Sequence, residues 1–160
     1  MAVFRSRSFG EVPLAADGAY VTREVSVGSR SMTRSLFLGM DLDQTLLDRA
    51  AALVDTLPTL DLRAREAIAA NADNMPGYVT FHLEELDDAA LHRLFDADRS
   101  AIDRAAFLAK LEVVGVNVHH RPESAFSLVL DYSLGRSYTD ELLAVSFDMR
   151  GHVLAVTHES

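Results

Sequence analysis

Polar and apolar positions alternate most regularly near the end of the chain. Phe126, Leu128, Leu130, Tyr132 and Leu134 are interleaved with Ala125, Ser127, Val129, Asp131 and Ser133. Leu143, Val145, Phe147 and Met149 are interleaved in the same way with Leu142, Ala144, Ser146 and Asp148. A period of two sends successive side chains to opposite faces of a half-buried strand. Asp148-Met149-Arg150-Gly151 supplies an Asp to open a turn and a Gly able to take positive φ at its end. Residues 125–160 therefore predict three strands, and residues 111–120 ahead of them predict a fourth, forming an antiparallel meander.

The earlier part of the chain is patterned differently. Residues 9–14 predict a short edge strand, and residues 20–27 and 32–40 predict a hairpin with Gly28-Ser29-Arg30-Ser31 as its loop. After Met40 the period lengthens. Leu46, Leu47, Ala50, Leu53, Val54 and Leu57 form one helical stripe, with Asp41 or Asp43 placed to cap it and Pro58 to close it or begin its exit turn. A second helix is expected after Asp61, ending near residues 71–74. A third is expected over residues 78–95 with a break near Asp87-Asp88, and a fourth is capped by Ser100. Strands, then three to four consecutive helices, then strands predict an α+β protein with its helices on one sheet face. No linker divides the chain, so residues 1–160 read as a single domain, and a chain of this length buries roughly 70% of its unfolded surface.

If Val114, Val116, Val118, Leu128, Leu130, Val145 and Phe147 face the core, the opposite face carries Asn117, His119, Ser127, Asp131, Ser133, Ser146 and Asp148. Asn117, His119, Asp131 and Asp148 are the residues expected to form a binding surface there.

Charge narrows the partners. The formal net charge is −9, and Lys110 is the single lysine. Nucleic-acid binding needs clustered Lys and Arg, so it is not expected; an acidic surface is steered toward basic proteins instead. No apolar run suits a signal peptide or a membrane helix, and cysteine is absent. Together these lead to the expectation of a cytoplasmic protein with no disulfide, no thiolate metal site and no membrane partner.

The candidate chemistry is sparse. Residues 35–48, SLFLGMDLDQTLLD, resemble the D-x-D-x-T-L-x-D nucleophile motif of haloacid-dehalogenase-like phosphatases. That resemblance implies Asp41 as nucleophile, Asp43 as general acid/base and both as magnesium ligands. Such a fold needs alternating strands and helices, which the pattern here does not supply, so the phosphatase or phosphotransferase is the alternative reading and a helix-capping pair the preferred one. His82 and Glu85 share a helical face, but His92 lies about 15 Å further along the helix, too far for one ion. Neighbouring His119 and His120 point to opposite sides of a strand. His152 and His158 are about 20 Å apart along theirs. No phosphate loop, dinucleotide fingerprint or nucleophile elbow occurs, and no cofactor is expected.

Three stretches resemble an uncharacterised bacterial family, catalogued as a domain of unknown function: SFGEVPL (8–14), YVTFHLEEL (78–86) and LDYSLGRSYTDELLAVSFDMRGHVLAVTHES (130–160). The resemblance implies the same fold and no catalytic residue. The layout is also similar to that of small acidic bacterial toxin-immunity proteins. The expectation is a non-enzymatic protein-binding domain, an immunity-type antagonist of a basic toxin.

Overall fold

The computed structural model describes residues 1–160, apart from the side chain of Pro76. The protein is α+β. A small antiparallel hairpin, β1 (Val3–Ser6) with β2 (Gly10–Pro13), precedes a longer one, β3 (Ala19–Val27) with β4 (Arg30–Leu38). Five helices follow: α1 (Gln44–Val54), α2 (Leu57–Asn71), α3 (Pro76–Glu85), α4 (Asp88–Phe95) and α5 (Arg104–Ala109). The chain ends in β5 (Glu112–Arg121), β6 (Ala125–Ser133), β7 (Leu142–Phe147) and β8 (Val153–Glu159).

β3 to β8 make one six-stranded sheet in sequence order. All neighbours are antiparallel except β4 and β5, whose register runs from Ser35 opposite Gly115 to Leu38 opposite Val118. A parallel pair needs a connection that carries the chain back along the sheet, and the five-helix segment is that crossover. The helices pack on one face. Leu36, Leu38, Val116, Val118, Leu128, Leu130, Val145 and Phe147 meet Leu47, Val54, Leu57, Leu60 and Ala64 in the core beneath them.

Aspartates set the helix starts. Asp43, Asp87 and Asp103 accept the backbone N–H of Leu46, Ala90 and Ala106 at 2.8, 2.6 and 2.7 Å. Each such cap is worth about 1 kcal/mol. The β1–β2 hairpin is pinned along α1. Gln44 bonds both the N–H and the carbonyl of Val3, and the Asp55 carboxylate accepts from the N–H of Arg7 at 2.8 Å.

Several boundaries differ from the sequence reading. Strand β1 comes before the expected edge strand and pairs with it. Pro58 opens α2 instead of ending α1, because a proline in the first helical turn gives up an N–H that has no partner there anyway. The expected third helix is divided at Leu86-Asp87, where Asp87 caps a new helix. Ser100 lies in a 3-10 turn, and Asp103 takes the capping role assigned to it. In β5 a bulge between Val113 and Gly115 shifts the alternation: Val113 is buried in the core, and Val114, expected there, is only half-buried. One extra residue moves everything before it to the other face.

Candidate binding face of the sheet

With the helices on one side, the other side of the sheet is the surface to which function can attach. From β3 to β8 it presents Tyr20, Phe37 and Ser35, Asn117 and His119, Asp131 and Val129, Ser146, then Ala155, Thr157 and Glu159, in the register set by strand pairing. Two hollows lie on it. One, of about 250 Å³, is lined by Tyr20, Ser35, Gly115, Arg136, Thr139 and Asp140 among others. The other, of about 400 Å³, includes His119, Arg121, Ser146, Thr157 and Glu159. Asn117 and Asp131 line both, so this pair is the seam between them.

Asp131 is held from two sides. Asn117 Nδ2 donates to its Oδ2 at 2.5 Å. The carboxylate lies over Gly115, where a Cβ would come within 2.8 Å of Oδ2. The glycine at the bulge is thus what lets the carboxylate lie flat on the sheet. Among the described residues it forms no ion pair. Desolvation pushes its pKa up; the Asn117 hydrogen bond acts against this, and the like charge of Glu159 adds to it. A carboxylate removed from water without a cation opposite is poised to accept one.

His119 stands beside this pair, its ring tilted at 42° to Phe37 with centroids 5.2 Å apart. Desolvation, and then the charge of Arg121, lower its pKa, so it presents a neutral ring. At the other hollow, Tyr20 donates its hydroxyl hydrogen to Ser35 Oγ at 2.8 Å. The loop from Gly135 to Glu141 forms a rim anchored from below. His82 Nδ1 lies 2.7 Å from the Tyr78 carbonyl oxygen, which can only accept, so Nδ1 carries the hydrogen and Nε2 accepts from Thr139 Oγ1 at 2.9 Å. His82 is buried in the aromatic cluster of Tyr78, Phe81 and Phe107, and burial lowers its pKa.

The structure brings together Asn117, His119 and Asp131 and places Asp148 elsewhere. Asp148 follows the last residue of β7, and its carboxylate is used by the turn: Oδ1 accepts from the N–H of Arg150 at 2.8 Å and of His152 at 2.9 Å. Desolvation acts to raise its pKa, but those backbone bonds together with the hydrogen bond and charge of the His152 side chain leave it lowered. The alternation that put Asp148 on the outer face ends with the strand. Asp43 caps α1, and Asp41 occupies the turn before it at φ 66°, both exposed. Among the described residues, no three histidine or carboxylate side chains are grouped to hold a metal ion, and no helix is long and apolar enough to cross a membrane.

Sequence reasoning did not find Gly115, Tyr20, Arg136 or Thr139. Gly115 alone carried a signal, a glycine inside a strand pattern, which marks a bulge or a close approach. The others reach the face through strand order and loop path, which local patterning does not encode.

Fold and face together define an α+β domain with an open, polar sheet surface. No family model matches the chain, and no curated protein or solved structure matches it.

Proposed function

We propose that the protein is a non-enzymatic cytoplasmic binding domain that takes a basic segment of a protein partner on its open sheet face. An immunity-type antagonist of a basic toxin would work in this way. The observation that carries the reading is Asp131, a desolvated carboxylate with one neutral hydrogen-bond partner at the seam of two hollows. A partner's guanidinium or ammonium group placed there would regain the charge-assisted hydrogen bonds that the free protein lacks. Arg136 and Arg121 line one hollow each. The segment that fits is therefore a central cation flanked by polar or acidic positions, not a uniform basic tract. The net charge of −9 speeds the approach of a basic partner and makes binding weaken with salt.

The test is calorimetric titration of short peptides, each with one central arginine and polar flanks, against a citrulline control. The arginine peptide is expected to bind wild type and to lose about tenfold or more with Asp131→Asn, the scale of a hydrogen bond to a charged group. Equal binding to wild type and Asp131→Asn, or to arginine and citrulline peptides, would contradict the proposal.

A further inference from the structure

Beneath the sheet, on the helix side, lies a second feature of opposite sign. Arg34 on β4 points into the protein interior and is only 3% exposed. Its Nη1 donates to the Thr33 carbonyl oxygen at 2.7 Å and its Nη2 to the Met32 sulfur, while Nε, fully enclosed, has no hydrogen-bond partner. None of the described carboxylates forms an ion pair with it. Burying an arginine while leaving an N–H unmet is costly twice over, once for the charge and once for the donor. In a chain this acidic, a counter-ion from the protein itself would have been easy to place.

A cavity of about 360 Å³ adjoins it, between the β3–β4 loop and α2, with Arg30, Arg34, Asp61 and Arg65 among its lining residues. The one carboxylate in that lining is already committed. Arg65 Nε lies 3.1 Å from both oxygens of Asp61, and the Tyr132 hydroxyl donates to Asp61 Oδ1 at 2.8 Å. Arg65 also donates through Nη2 to the Leu111 carbonyl at 2.9 Å and is stacked over the Tyr132 ring at 5.5 Å. Asp61 is paired with Arg65 and Glu112 with Arg30, so both carboxylates act on Arg34 from a distance but neither closes an ion pair with it, and three guanidinium groups face two carboxylates. At the rim, Arg30 meets Glu112 only loosely, at 3.5 Å, and both side chains are well exposed.

We propose that this cavity is a binding site for a small oxyanion, a phosphate or carboxylate group, held by Arg34 with Arg65 and Arg30 at its sides. Guanidinium forks match both anions in geometry. The site is separate from the open sheet face, so either can fail without the other.

The experiment is titration of the purified protein with inorganic phosphate and, separately, succinate, followed by calorimetry and by thermal unfolding, with sodium chloride matching ionic strength. Saturable binding of either anion is expected, with a melting temperature that rises with its concentration. The arm that responds identifies the ligand class. Arg34→Met is expected to weaken that binding by about tenfold or more, as loss of a charge-assisted bond does. It should also melt higher than wild type without anion, because an unpaired buried charge has been removed. Arg30→Gln, at the exposed rim, tests the site without touching the interior and should weaken binding more mildly. Wild type that saturates with neither anion beyond the chloride control overturns the proposal, and so does Arg30→Gln or folded Arg34→Met that binds as tightly as wild type.

Discussion

Replacing Gly115 by alanine is expected to damage the fold through Asp131 and nothing else. The new Cβ would lie 2.8 Å from Asp131 Oδ2, 3.4 Å from its Cβ and 3.5 Å from its Cγ. Only the first is shorter than ordinary contact. The carboxylate cannot yield freely, because Asn117 holds the same oxygen at 2.5 Å and the pairing of β5 with β6 fixes the backbone on both sides. Displacing it breaks that bond, about 1 kcal/mol, and overpacking adds to the loss, for a total of about 1–3 kcal/mol. In an Asp131→Ala background the offending oxygen is gone. The same Gly115→Ala change should then be neutral, or stabilising by about 0.4–1 kcal/mol through the unfolded chain, since Gly115 needs no positive φ. Urea unfolding of the four proteins closes the cycle, and a coupling of at least about 1 kcal/mol is expected. A coupling within about 0.5 kcal/mol of zero would refute the claim that the glycine exists for the carboxylate.

Asp131→Asn should be more stable than wild type at neutral pH. The folded pKa of Asp131 is raised, so its neutral form is the one favoured in the fold; stability is full below the unfolded value of about 3.9 and declines as pH rises through the folded pKa. The advantage of Asn should therefore disappear on acidification, and an advantage that grows toward low pH would reverse the assignment. Tyr132→Phe removes the hydroxyl that donates to Asp61 at 2.8 Å and should cost about 1.5–3 kcal/mol in urea unfolding, with a negligible change counting against the Tyr132–Asp61–Arg65 network. Gly151→Ala would force positive φ (76°) on a residue with a side chain and press its Cβ to 3.0 Å from Arg63 Nη1 and 3.2 Å from Leu60 Cδ2. A loss of about 1 kcal/mol or more in thermal unfolding is expected, and unchanged stability would show that the turn can relax.

The meander was legible in the sequence because alternation is a local signal. Phe126, Leu128, Leu130, Val145 and Phe147 are buried where the period of two put them. The α+β order was legible for the same reason. What local patterning could not show is how the pieces join: the parallel pairing of β4 with β5 depends on where five helices return the chain. Nor does it report a bulge, and Val114 was assigned to the core because one extra residue in β5 is invisible to a count of alternate positions. The candidate face divides along the same line. Asn117, His119 and Asp131 sit on paired strands and follow from parity. Asp148 does not, since past the end of β7 its position is governed by the turn it caps. Arg34 carries no local signal, because an arginine within a strand reads as solvent-facing, while here the helix layer closes over it.

Whether the open sheet face takes a cation opposite Asp131 can be read residue by residue from amide chemical-shift mapping with the arginine-centred peptide. Shifts are expected to concentrate at Gly115, Asn117, His119, Asp131 and Thr157, with helices α1 to α5 unmoved and the pattern lost in Asp131→Asn. Shifts that fall on the helices or around Arg34, or that persist unchanged in Asp131→Asn, would contradict binding of a cation there.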